Sequence, residues 1–262
     1  MIEENVKEEK KIKPKYVSKN GFVDMRPLRG IHGATLLMQR IADRKVVICG
    51  GYVRWMCSSN DKIAPPSDID VYSSDEEAFE EMKKVFSDLE ILFENNICIS
   101  YKPAKEFQGY PPIQLIKPIK EGAIVAAGTM DEILSNFDFT VVRAGLFWKE
   151  DPKLPEVFTA RELQLTDITL MAKVDADFKH DEEEKILRIK NIHCPISSMY
   201  RCVKYIKKGY WLPTGQALML FIDWMERPEE YLQKIIDYMR TAETAGLTQT
   251  QIDHLEALMR VD

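Results

Sequence analysis

The chain has 262 residues, of which 45% are hydrophobic and 30% charged, and its formal net charge is −6. That length suits one large or two small folded domains. The acidic balance argues against a surface that is basic overall and made for nucleic acid, and no apolar run of about 18 residues exists to span a membrane.

Residues 1–20 are charge-dense, with Lys7, Lys10, Lys11, Lys13 and Lys15 crowded together, and are expected to form a flexible arm. The arm has no apolar segment, so it does not read as a secretory signal, and the expected location is the cytoplasm. Leu36, Leu37, Ile41 and Ala42 fall at helical spacing and predict a helix over 32–43. The β-branched run at 45–49 predicts a buried strand, broken by Gly50 and Gly51, with a helix over 52–57 after it. Residues 67–73 alternate as a strand, with Asp68, Asp70 and Tyr72 on one face and Ile69 and Val71 on the other.

Ser74 and Asp75 can cap a helix reaching about residue 88. Strands are expected at 90–94, 97–102 and 113–117. Thr129 caps a helix over 130–136, and a central strand is expected over 138–148. Residues 159–174 read as partly helical and 175–184 as charged and exposed. From Lys185 onward the periodicity is helical. The expected fold class is α+β, a mixed sheet with flanking helices followed by a small all-helical C-terminal region. The domain reading is an arm over 1–20, a head over 21–175 and a helical neck and tail over 176–262.

The five cysteines, Cys49, Cys57, Cys98, Cys194 and Cys202, are scattered and form no metal spacing. They read as reduced core thiols. His193 and Cys194 are the one adjacent metal-capable pair. Lys204, Lys207 and Lys208 cluster with Arg201, and solvated surface is the favoured reading of that cluster. Trp211, Trp224 and the tyrosines at 200, 205, 210 and 231 fall at helical spacing and read as core ahead of base-stacking platforms.

Three features occur in order: Gly50-Gly51-Tyr52-Val53-Arg54, Ser67-Asp68-Ile69-Asp70-Val71, and Phe137-Asp138-Phe139-Thr140-Val141-Val142-Arg143. Two carboxylates on one face of a strand repel one another unless a cation lies between them. Mg²⁺ takes a few carboxylates plus phosphate oxygens, and metals at such sites assist in-line displacement at phosphorus. Two glycines let the backbone approach a triphosphate, and a helix beginning there adds its positive end. Arg54 lies one turn in, within reach of a phosphate. Either feature alone also reads as an ordinary turn or an acidic strand edge, and the pair in this order is the stronger signal.

These segments resemble the head domain of the polymerase-β nucleotidyltransferase superfamily, closest to the branch of tRNA CCA-adding enzymes and bacterial poly(A) polymerases. Phe137 to Val141 is similar to that branch's Arg-Arg-Asp-Phe-Thr segment, and Met199 to Ile206 is faintly similar to the neck helix. The resemblance implies a five-stranded mixed sheet with Asp68 and Asp70 as ligands of Mg²⁺ or Mn²⁺. It implies Gly50, Gly51 and Arg54 at the triphosphate and Asp138 near the sugar as a third catalytic acid; Ser67, Arg143 and Arg201 are further nucleotide-binding candidates, with a paired core arginine the favoured reading of Arg143.

The sequence departs from the pattern at several places. Trp55 stands where an aspartate usually follows, Gln114 occupies the place of the third strand carboxylate, and Asn136-Phe137 replace the paired arginines. Cys194, Pro195 and Ser198 fall where the neck's base-reading residues would lie, and the tail is short for a tRNA-holding body.

Two functions follow. One is an active nucleotidyltransferase moving an NMP from an NTP to a hydroxyl acceptor, with an RNA 3′ end, including that of tRNA, as the favoured acceptor. The other is an inactive relative that binds nucleotide or joins an assembly through its N-terminal arm or helical tail. The layout resembles nucleotidyltransferases expected in large viruses and phages.

Overall fold

The computed structural model describes residues 15–16, 22–24, 34, 37, 40–41, 45–58, 63, 66–103, 110–118, 120–121, 124–149, 169–192 and 195–226. Expectations for residues 1–14, for 159–168, for His193 and Cys194 and for the chain beyond 226 lie outside them.

The strands are β1 Lys15–Tyr16, β2 Phe22–Asp24, β3 Val46–Cys49, β4 Ile69–Ser73, β5 Ile91–Glu94, β6 Cys98–Tyr101, β7 Ile113–Ile116, β8 Lys120–Glu121, β9 Ile124–Val125, β10 Ala144–Lys149 and β11 Thr169–Val174. The helices are α1 Gly51–Cys57, α2 Glu76–Val85, α3 Met130–Ser135, α4 Phe178–Glu183, α5 Pro195–Ile206 and α6 Thr214–Met225. Ala34, Leu37, Arg40 and Ile41 are also helical. Nine strands join one mixed sheet in the order β1-β2-β11-β10-β3-β4-β7-β6-β5, and β8 pairs with β9 separately. The β4–β7 pair is parallel, and every other neighbour in the large sheet is antiparallel.

Local chemistry explains where the elements begin. Asp75 accepts from the Ala78 amide at 2.8 Å and starts α2. Thr129 and Glu132 form a reciprocal capping box that starts α3. Gly50 ends β3 with φ of 86°, a backbone that only glycine adopts freely, so the chain turns at once into α1.

One sheet face carries the larger core. Ile48, Val71, Ile99, Leu115 and Leu146 pack there under Leu37, Ile41, Tyr52, Met56, Met82 and Phe86. The opposite face carries the alternate residues of β3 and β4, and Ile133 and Leu134 of α3 pack on it against Cys49. A second core joins Phe139, Val141 and Val142 to Leu187, Ile189, Cys202, Tyr205, Tyr210 and Leu220. Tyr205 and Tyr210 are thus core, whereas Tyr200 and Trp211 are exposed.

The fold class is the one expected, a mixed sheet with flanking helices followed by helices at the C-terminal end. Its details differ from the sequence reading in five places. The sheet has nine strands where the family resemblance implied five: six run from β10 to β5, and β11, β2 and β1 extend it beyond β10. Lys15 and Tyr16, placed in the arm, form an edge strand on β2.

The strand expected over 138–148 begins only at Ala144. The Thr140 amide donates to Arg188 O and the Lys190 amide to Asp138 O, so this stretch bonds to residues 188–190 and tightens into a 3₁₀ turn at Thr140–Val142. Residues 169–174, read as part of a helix, form β11. Their Leu, Met, Ala and Lys favour a helix locally, and six register pairs with β10 override that preference. Residues 175–184, read as exposed, contain α4, whose Phe178, Asp181 and Glu182 are buried.

Candidate functional site

The register places one row of residues across the sheet: Gly145 beside Cys49, Cys49 beside Asp70, Asp70 beside Gln114, and Gln114 beside Ser100. Paired positions share a face, so Asp70 and Gln114 project together. Asp68 lies two residues before Asp70 and just outside β4. Burial, and secondly the charge of Asp68, push the Asp70 carboxyl up to about 7, while Lys204 opposes the shift. The Cys98 thiol lies 3.8 Å from Gln114 Oε1, and the Ser100 hydroxyl is buried with no hydrogen-bond partner among the described residues.

The turn at Gly50 approaches this row closely. A Cβ added at Gly50 would lie 3.1 Å from Phe137 Cε1 and 3.5 Å from Asp70 Oδ2, whereas one at Gly51 would meet nothing within 4 Å. A concavity of about 40 Å³ opens beside the turn, lined by Gly51, Arg54, Trp55, Ser67, Asp68, Lys204, Tyr205 and Lys208 among others. That is room for a few waters or a small ion.

The cationic candidates divide sharply. Arg54 is 3% exposed. Its Nε lies 3.3 Å from Glu182 Oε2, and its Nη2 donates to the Tyr210 hydroxyl at 3.0 Å. Its guanidinium also lies 5.2 Å from the ring centroids of both Tyr205 and Tyr210. Glu182 accepts further bonds from Ser58 at 2.7 Å, from Lys185 at 2.9 Å and from Tyr210. Arg54 thus sits at the back of the concavity as the centre of a buried network.

Asp138 is 6% exposed and accepts from Ser198 Oγ at 2.9 Å and from Arg201 Nε at 2.6 Å. The pair proposed from sequence for the nucleotide is thus joined to itself. Arg143 donates to Phe137 O at 2.9 Å and Ser135 O at 2.7 Å, and faces Asp175 at 3.7 Å. Ser67 Oγ donates to Asp68 Oδ2 at 2.9 Å. Gly50, Gly51, Ser67, Asp68 and Asp70 therefore come together at one place. Asp138, Arg143 and Arg201 are engaged by protein partners.

Lys204 and Lys208, read from the sequence as solvated surface, are exposed, and they also border the concavity. Their spacing of four from a faint neck-helix likeness was the signal available.

Asp68 and Asp70 supply two carboxylates, with the Gln114 amide on the same face. Among the described residues no group of three or more His, Cys, Asp or Glu side chains could hold a metal. Such a donor set fits a Mg²⁺ ion that keeps water and phosphate oxygens in its other positions, and not a closed protein cage. The described cysteines, Cys49, Cys57, Cys98 and Cys202, are free and buried. No helix of the described residues is long and apolar enough to cross a membrane.

The fold and this site define a mixed-sheet protein with a carboxylate pair beside a glycine turn. Residues 21–168, more than half of the chain, match the family described as Gabija anti-defense 2 family protein, and the chain belongs to that family. No curated protein matches the sequence. Among solved structures, the Thermotoga maritima CCA-adding enzyme complexed with tRNA is similar at 15% identity, over 76% of this chain and 44% of that one, with a TM-score of 0.47. A CCA-adding enzyme in complex with CTP is similar at 17% identity, over 81% and 48%, with a TM-score of 0.48. An apo form of a CCA-adding enzyme is similar at 15% identity, over 85% and 51%, with a TM-score of 0.48. The chain spans about half the length of these structures.

Proposed function

We propose that this chain holds a divalent cation on Asp68 and Asp70 and transfers a nucleoside monophosphate from an NTP to a hydroxyl acceptor. The observation that carries the reading is the convergence of Asp68, Ser67 and the Gly51 backbone on one concavity, with Asp70 close enough for the Asp68 charge to raise its carboxyl. A bound Mg²⁺ or Mn²⁺ ion would stabilise charge on the attacking and leaving oxygens. The chain itself would hold the cation through Asp68 and Asp70 and admit phosphate oxygens close to the Gly50–Gly51 backbone. Ser67 would orient the Asp68 carboxylate.

An RNA 3′ end is the acceptor the sequence resemblance favours. The family's description adds a second candidate, a hydroxyl on a component of the Gabija defence itself. On this reading the protein acts in the cytoplasm and disables that component by modifying it.

The test is incubation with each α-labelled NTP and Mg²⁺ or Mn²⁺, using a mixed RNA pool in one arm and the purified Gabija proteins in the other. The Asp68→Asn/Asp70→Asn variant runs beside the wild type. Label transferred by the wild type alone supports the reading, and the labelled species names the acceptor. No transfer in either arm overturns it.

A second reading, binding without transfer, is favoured by one observation: the strand neighbour of Asp70 is the neutral Gln114. Glutamine is a weak cation ligand and no general base. In that case the exposed Leu218, Met219, Phe221, Ile222 and Met225 of α6 would offer a surface to a protein component.

A further inference from the structure

The concavity carries two cations, Lys204 and Lys208, that form no hydrogen bond or ion pair with a carboxylate among the described residues. Arg54, the residue the motif assigns to phosphate, is engaged by Glu182 and Tyr210. Lys204 lies on α5 and Lys208 four residues on, in the turn that follows, and both line the concavity with Gly51, Ser67 and Asp68. Among the described residues neither makes a hydrogen bond or ion pair with a carboxylate. Lys83, Lys102, Lys117, Lys173, Lys185 and Lys190 each pair with one. The Lys208 ammonium lies 5.1 Å from the centroid of the Tyr205 ring, which steadies its stem at the rim.

Charge counting decides what this arrangement takes. A divalent cation on Asp68 and Asp70 makes that pair neutral, and Glu182 answers Arg54. Lys204 and Lys208 then face a neutral centre with two positive charges left over. An extended anion with several charges, lying across the mouth, balances them, and a single carboxylate does not. The cavity volume of about 40 Å³ accommodates the ion and not the anion's full length, which agrees with binding along the rim.

We propose that Lys204 and Lys208 are the phosphate clamp of this site, binding the outer phosphoryl groups of a polyphosphate whose other end lies at Asp68 and Asp70. This rests on the nucleotide reading above and moves the phosphate-binding role from Arg54 in the head to the helical region. The α5 helix, tied to the head through Ser198, Arg201 and Asp138, thereby becomes half of the substrate site.

The probe is inorganic tripolyphosphate with Mg²⁺, measured by titration calorimetry on the full chain. Wild type and Lys207→Gln should bind alike. Lys204→Gln/Lys208→Gln should bind at least about tenfold more weakly with an unchanged melting temperature, and Lys204→Arg/Lys208→Arg should retain binding. Equal binding by the double glutamine variant, or no binding by wild type, overturns the clamp.

The outcome is separable from the parent reading. Lysine-dependent tripolyphosphate binding with no label transfer leaves the clamp standing and the transferase reading fallen. Transfer that depends on Asp68 and Asp70, with tripolyphosphate binding indifferent to both lysines, does the reverse.

Discussion

Arg54 and Glu182 stand 128 positions apart in the chain and 3.3 Å apart in space, and each is 3% exposed. Removing one partner would leave the other charge buried and alone. Glu182→Ala should therefore cost about 3–5 kcal/mol in denaturant unfolding, whereas the double change Arg54→Met/Glu182→Leu should cost much less. Equal losses in the two variants would show that packing, and not the ion pair, holds α1 to α4.

The same carboxylate gives an acid dependence. Burial pushes the Glu182 pKa up, but Arg54, Tyr210, Lys185 and Ser58 together outweigh it and hold the group below its ordinary 4.5. Burial likewise raises Asp181, and Arg188, Thr140 and His180 outweigh it, leaving Asp181 below its ordinary 3.8. A depressed native pKa contributes stability that is complete above the unfolded value and lost as pH falls through the folded one. Melting temperature should thus be flat in these two groups above 4.5 and fall progressively below it. Arg188→Gln should lower stability at neutral pH and make the acid loss shallower. An acid slope unchanged by that substitution would contradict the assignment.

Gln114 invites a gain-of-function test. Gln114→Glu places a third carboxylate beside Asp70. Without metal the added repulsion should lower the melting temperature. With Mn²⁺ at a hundred times its dissociation constant, binding should restore about 2.7 kcal/mol. A variant whose stability ignores Mn²⁺ would mean that this face does not gather a cation.

The two glycines should separate. At Gly50 the backbone is left-handed and a methyl group would crowd Phe137 and Asp70, so Gly50→Ala should cost about 1–2 kcal/mol of stability. Gly51 starts α1 with open space around it, and Gly51→Ala should leave the melting temperature unchanged or slightly higher. If Gly51→Ala also leaves NTP affinity unchanged, substrate does not approach that backbone.

Asp138 and Arg201 should be coupled. A double-mutant cycle with Asp138→Asn and Arg201→Gln should give an interaction of about 1–3 kcal/mol in thermal or denaturant unfolding. Strict additivity would indicate that the head–α5 contact is held by the second core alone.

Much of the head was legible in the amino-acid sequence because its signals are local. The run at 46–49, the Gly50 break, the alternation from Ile69 to Ser73 and the Thr129 cap each act within a few residues, and the elements follow them. The alternation that puts Asp70 and Tyr72 on one face and Ile69 and Val71 on the other was legible for the same reason, since a strand's period of two needs no partner to be read. Residues 169–174 were not legible. Their local preference is helical, and only pairing along the whole of β10 makes them a strand.

Charges were the harder problem. The sequence determined that Arg54, Asp138, Arg143, Arg201, Lys204 and Lys208 exist at suggestive spacings, and spacing made Arg54 the phosphate ligand. Tertiary structure decided which partners these charges meet over long separations, as Arg54 meets Glu182 and Asp138 meets Arg201. A cation's task depends on which anion lies within a few ångströms, because attraction falls with distance and rises with burial. Neither quantity is written in the order of residues. Folding sets both when it brings α4 and α5 against the head.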